Sequence, residues 1–256
     1  MNKLYFFSPL EQFQVLPILP IKFGIIDLSL TNEVVILLLV FFLTATLLYS
    51  LLNKDNSFYL IPNRWQSLLE MIYKVILGLV VDNIRNKQAE KFFPLVFSVF
   101  FFILSLNVIG LVPYSFTITS HLIVTLSIAL AIFIGINIIC VREHGMKFFS
   151  LFLPPGTGIG FAFLLVPIEF ISYFFKPVSL SIRLFANMMA GHTLLKVIAG
   201  FGFVLMGKAG ILFFMHYIPL LILIPLFGLE LAVALIQAFV FSILICIYLN
   251  DALNLH

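Results

Sequence analysis

Charge is scarce in this chain. Asp, Glu, Lys and Arg make up 10% of its 256 residues, against about 25% in a soluble domain. A surface so poor in charge is not built to meet water all round. Cysteine is nearly absent: Cys140 and Cys246 both sit in apolar runs, which excludes a disulfide framework and a thiolate metal site. The histidines (His121, His144, His192, His216 and His256) never recur three or four residues apart, which argues against zinc, haem or di-iron ligation. The hydrolase signatures G-x-S-x-G and H-E-x-x-H are missing. No internal repeat or low-complexity segment is evident. At the N-terminus Pro9, Glu11, Gln12, Gln14, Pro17 and Pro20 break the pattern of a secretory signal. A short leader ending before Ser8 is compatible with the sequence.

What is abundant is apolar: 62% of the residues are hydrophobic and 31 are Phe. One core cannot hold that excess, so apolar surface must face lipid. The expected fold class is all-α, a polytopic integral membrane protein. Long unalternating apolar runs argue against a water-filled barrel. The net charge of +3 is spread along the loops, a topology signal rather than a nucleic-acid footprint.

Along the chain, residues 1–31 read as an exposed arm with little regular structure. Residues 32–52 are long enough to cross a bilayer. Residues 62–91 are amphipathic: Asn63, Gln66, Glu70, Lys74, Asp82 and Arg85 recur on one face, and Leu69, Ile72, Ile76, Leu79 and Val80 fill the other. Such a helix lies on the membrane or against a neighbouring helix, with Pro62 as its first residue and Glu70–Lys74 as an i,i+4 pair. Residues 92–141 read as a hairpin of two spans joined by an uncharged turn near Pro113. Its polar exceptions, Asn107, His121 and Asn137, are expected to hydrogen-bond between helices. A Pro-Pro-Gly-Thr-Gly loop follows at residues 154–158. Lys54, Arg64, Lys74, Arg85, Lys87, Lys91, Arg142 and Lys147 flank one membrane face. The positive-inside rule puts that face toward the cytoplasm or matrix and the N-terminus outside.

Residues 159–250 hold two apolar runs, each about twice a bilayer thickness. Each is two short upright spans or one long tilted helix, and hydropathy does not choose. They carry Glu169, Arg183, His192 and Glu230. Asn187 follows Arg183 by four residues, on the same helical face. His192 lies about 13 Å further along a helix than Arg183, near the opposite side. Gln237 shares a face with Glu230 about 10 Å away, and Glu169 precedes Arg183 by about 20 Å. Intramembrane carboxylates and a histidine are what a proton relay needs. An arginine cannot release its proton, so it serves as a fixed positive barrier beside the relay. A structural ion pair of Arg183 with Glu169 or Glu230 is the competing reading. Lys176 and Lys196 read as snorkelling cations without a role.

The stretch Ser-Leu-Ser-Ile-Arg-Leu-Phe-Ala-Asn-Met-Met-Ala-Gly-His at residues 179–192 resembles the signature of subunit a of F-type ATP synthases, subunit 6 in mitochondria. Leu-Glu-Leu around Glu230, Ile-Gln-Ala-Phe-Val around Gln237, and Asn-Val-Ile-Gly-Leu-Val-Pro-Tyr from Asn107 are similar to other motifs of that family. Ser-Pro-Leu-Glu-Gln-Phe from Ser8 resembles the mature start of mitochondrial members. The resemblance covers nearly the whole chain.

It implies about five membrane helices, the last two strongly tilted against a rotating c-ring. It implies two proton half-channels at that interface. Arg183 then matches the arginine that faces the ring carboxylate, and His192 and Glu230 match the inlet pair. Asn187 and Gln237 match polar residues near the arginine, and Glu169 a matrix-side outlet carboxylate. The implied partners are the c-ring, the peripheral stalk, other membrane-sector subunits and the lipid bilayer, with no cofactor and no covalent chemistry in this chain. His after the arginine motif and Glu in the last helix match the mitochondrial arrangement, hence the mitochondrial inner membrane, with a bacterial plasma membrane as the alternative. A stand-alone proton or cation secondary transporter is the alternative function. Such transporters usually show paired halves, and no repeat is visible here.

Overall fold

Residue 32 is where the arm becomes helix, and its side chain makes the junction. In the structure, a computed structural model describing residues 10–23, 26–52, 64–84, 89–112, 115–145, 148, 159–208 and 210–253, Asn32 Oδ1 accepts from the backbone N–H groups of Leu16 (3.1 Å) and Glu33 (3.0 Å). Its Nδ2 donates to the Gln14 carbonyl at 3.2 Å. Among the described residues of the arm, Leu10 and residues 14–21 are exposed, and the arm is more regular than expected. Strand β1 (Pro17–Leu19) pairs antiparallel with β4 (Leu30–Thr31), and β2 (Lys22–Phe23) with β3 (Ile26–Asp27). Helix α1 (Asn32–Leu52) follows, with Glu33 in its first turn, where a carboxylate suits the helix dipole.

The amphipathic segment forms α2 (Arg64–Asn83). It ends earlier than the charge pattern predicted, and Pro62 lies outside the described residues. Ile76, Leu79 and Val80 are buried, and α2 packs on its own protein, against α3 and α7. Glu70 accepts from Gln66 Nε2 at 3.0 Å rather than pairing with Lys74. Helix α3 (Ala89–Gly110) begins before the predicted span. Its Phe93, Phe97 and Phe101, four residues apart, pack as tilted rings with centroids 5.3 and 4.7 Å apart, and Tyr73 of α2 meets Phe93 edge-on at 4.8 Å. These rings face a neighbouring helix, so the Phe excess is not all lipid-facing. Phe97, Phe100 and Phe101 are in the core.

The α3–α4 turn is polar and buried. Thr117 Oγ1 donates to Ser120 Oγ at 2.9 Å, and Ser120 Oγ donates to the Thr117 carbonyl at 2.6 Å. Thr117 also presses on Gly110, where a Cβ would sit 3.1 Å from its methyl. Helix α4 (Leu122–His144) ends at Gly145, whose φ of 56° is left-handed, a conformation glycine adopts freely. His144 Nε2 lies 3.2 Å from the Leu253 carbonyl, tying the end of α4 to the end of α7.

Both long apolar runs are predominantly single long helices. Helix α5 (Ile159–Met206) has 48 residues and continues through Pro167 and Pro177. At 1.5 Å per residue it is about 72 Å long. Gly210, with φ 79°, then turns the chain into the short α6 (Ile211–Met215) and α7 (Tyr217–Leu253, 37 residues). Four described helices, α3, α4, α5 and the α6–α7 run, are long and apolar enough to cross a membrane. The protein is all-α and polytopic. Its core joins α2, α3, α4, α5 and α7, with Leu180 and Leu184 of α5 packed among Ala238, Phe241, Ile245 and Leu249 of α7.

Candidate functional site

The burial pattern of α5 assigns its faces. Pro177, Leu180, Ser181, Leu184 and Met188 are buried, whereas Phe175, Ser179, Ile182, Arg183, Ala186 and Ala190 are exposed. Steps of three and four residues put each set on one stripe. Arg183 therefore stands on the outward stripe of an apolar helix. Among the described residues it forms no ion pair, so the structural pairing with Glu169 or Glu230 is not present. A cation in this setting is costly unless something outside the chain meets it.

Arg183 lines a groove of about 260 Å³ between α5 and α7, together with Ser172, Lys176, Ser179, Leu244 and Tyr248. Lys176 is not the roleless snorkelling cation expected. Its Nζ lies 3.4 Å from Asp251 Oδ2, and 5.4 and 5.1 Å from the ring centroids of Tyr173 and Tyr248, within cation–π range. The groove thus runs from an unmatched arginine to a matched lysine.

On the inner side of the same two helices, His192 and Glu230 meet. His192 Nε2 lies 3.5 Å from Glu230 Oε1, with side chains only 14% and 5% exposed. That is ion-pair range without a hydrogen bond, and both carboxylate oxygens and the histidine Nε2 have no hydrogen-bond partner. Glu230 borders a hollow of about 210 Å³ shared with Asn187, Gly191, Leu195, Leu226 and Val233. An unpartnered ionised carboxylate would be expensive there. Two titratable groups this close, one of them at an apolar hollow, can instead pass a proton between them.

Gly191, which the sequence does not single out, and Asn107, expected only as an interhelical hydrogen-bonder, support this pair. A Cβ on Gly191 would sit 2.7 Å from Glu230 Oε1, so only glycine leaves the carboxylate where it is. Asn107 of α3, fully buried, donates from Nδ2 to the Ala234 carbonyl of α7 at 3.2 Å, one turn beyond Glu230. Asn107 and Asn137 do bond between helices, Asn137 Oδ1 accepting from Tyr173 Oη at 2.6 Å. His121 does not. Its ring stacks on Phe116 at 5.2 Å, and its Nε2 has no hydrogen-bond partner among the described residues.

Of the six residues predicted for the site, Glu230 and Asn187 line one hollow, and His192 lies against Glu230 without lining it. Arg183 stands apart in its own groove. Gln237 is half-buried on α7, and Glu169 is exposed on α5; neither lines the two cavities. Gly191→Ala is expected to drive the Glu230 carboxylate away from His192. Because a misplacement of about 1 Å can cost up to a hundredfold in rate, a loss of about tenfold in proton flux through vesicles carrying the protein in its native membrane assembly is expected. An unchanged rate would show that the placement of this carboxylate is immaterial.

The sequence matches the model of the family described as "ATP synthase A chain" over residues 34–250. It is similar to proteins named "ATP synthase subunit a" from several organisms. That of Pylaiella littoralis is 55% identical over 252 residues, covering 98% of this chain and 100% of the relative. That of Chondrus crispus is 49% identical, covering 97% of each. That of Marchantia polymorpha is 48% identical, covering 97% of this chain and 99% of the relative.

Proposed function

The chain belongs to the ATP synthase A chain family, as a proton-translocating subunit of the membrane sector, and from that premise we propose how its geometry moves protons. The outward stripe of α5 faces a ring of membrane subunits, each carrying a carboxylate. That carboxylate must be neutral to face lipid and ionised to pass the stator. Arg183 stabilises its charge by opposite sign and, being permanently protonated, separates two half-channels.

The inlet runs past the His192–Glu230 pair, with Asn187 between that hollow and Arg183. The outlet leaves from the Arg183 groove toward the membrane face that carries Lys176 and Asp251. Glu169 and Gln237, which line neither cavity, serve as polar stations beyond them. A helix about 72 Å long in a hydrocarbon core of about 30 Å has to lie strongly tilted, which keeps α5 and α7 alongside the ring. The chain itself is non-catalytic, and ATP is formed elsewhere in the complex. The peripheral stalk and other membrane-sector subunits complete its surroundings. The mitochondrial inner membrane is the proposed location, with the basic loops toward the matrix.

One observation carries this reading. The cation on α5 is exposed and forms no ion pair among the described residues, while His192 and Glu230 lie together apart from its groove. A transporter working alone would need to satisfy Arg183 within its own fold. Co-purification tests the difference: the chain is expected to emerge in a large complex with a ring of small hairpin subunits. Recovery as a homo-oligomer that carries protons after reconstitution without a ring would overturn the proposal.

A further inference from the structure

Between α4 and the first half of α5 runs a groove of about 620 Å³ that the proton path does not use. Its walls include Ile134, Ile138 and Val141 of α4 and Phe170 and Phe174 of α5, all exposed apolar side chains. The polar groups at its floor are turned on each other. Tyr173 Oη donates to Asn137 Oδ1 at 2.6 Å, and Asn137 Nδ2 donates to the Phe133 carbonyl at 2.8 Å. The floor therefore offers little to water or to a polar ligand, and the groove is apolar along its length.

Its charge is concentrated at one end. Arg142, in the last turn of α4, lines the groove there and is exposed. Among the described residues it forms no ion pair. The nearby His144 is not available to share its role, because its ring is turned toward the Leu253 carbonyl. An apolar trough between membrane helices, closed at one end by a single unmatched guanidinium, is complementary to an amphiphile with one anionic head. Guanidinium groups bind phosphate in a bidentate fork, and basic pockets between membrane helices hold anionic lipid head groups.

We propose that the α4–α5 groove is a binding site for an anionic phospholipid, with its phosphate on Arg142 and an acyl chain along Ile138 and Phe174. This site is independent of the proton-path assignment, since none of its lining residues lies in the Arg183 groove except Tyr173's neighbouring contact to Lys176. The lipid seals the seam between the hairpin and α5.

The test uses the whole purified complex in nanodiscs and two photoactivatable probes with identical diazirine acyl chains, phosphatidylglycerol and phosphatidylcholine, with adducts mapped by mass spectrometry. The expected result is labelling of residues 133–142 and 170–174 by the phosphatidylglycerol probe about fivefold above the phosphatidylcholine probe. Arg142→Gln should erase that preference, and Ile138→Trp, which fills the trough, should lower labelling by both probes. Equal labelling by the two head groups in the unmodified complex overturns the proposal, and that comparison needs no variant to assemble. So does a preference that survives Arg142→Gln, or a cross-link showing another subunit's helix seated in the groove in place of lipid.

Discussion

Complexes carrying Arg183→Ala are expected to assemble and to lose proton-driven ATP synthesis by at least about a hundredfold, the scale on which removing one preorganised charge from a low-dielectric site acts. Assembly should survive because Arg183 forms no ion pair among the described residues and stands on the exposed stripe of α5, away from buried Leu180, Leu184 and Met188. The loss of function should be large because two effects vanish together. In the proposed mechanism the ring carboxylate loses the opposite charge that lets it ionise beside the stator. The inlet and outlet lose the fixed cation that keeps them apart. Synthesis assayed in energised vesicles, with the complex quantified in the same membranes, separates the two readings. Near-normal coupling would make Arg183 a surface cation without a role.

Glu230→Gln is the second large effect. The amide keeps the shape of the side chain against Gly191, whose would-be Cβ lies 2.7 Å from Oε1, but it cannot take or give up a proton. Both Glu230 oxygens are buried without hydrogen bonds, so the substitution removes no structural contact beyond His192 at 3.5 Å. A relay role therefore predicts loss of proton-driven synthesis by about a hundredfold with the complex intact. A structural role predicts the reverse, a complex that assembles poorly but works normally per assembled copy. Initial rates normalised to assembled complex decide between them.

The sequence made the individual residues legible and left most of their partners hidden. Arg183, Asn187, His192 and Glu230 stand out because ionisable and polar groups are rare in apolar runs. The two faces of α5 also follow from three- and four-residue spacing. That His192 meets Glu230, 38 positions later, depends on how α5 and α7 slide against each other, which no local pattern encodes. Lys176 looked like an interfacial cation because its partner Asp251 is 75 residues away. Gly191 passed unnoticed because a glycine in a helix signals nothing until a side chain from another helix occupies the place of its Cβ. Hydropathy did not distinguish one long helix from two spans. Helix α5 continues through Pro167 and Pro177, since a membrane helix can satisfy the freed carbonyls locally. For α2, the polar stripe continued past the packed part of the helix, which ends at Asn83.

The separation of inlet from outlet is tested most directly by passive proton flux through de-energised vesicles carrying the assembled Arg183→Ala complex. If Arg183 is the barrier, flux through the membrane sector rises above that of the unmodified complex while ATP synthesis is lost. If the vesicles are no leakier than the unmodified ones and remain coupled, protons are kept apart by something other than this arginine, and the proposed path is wrong.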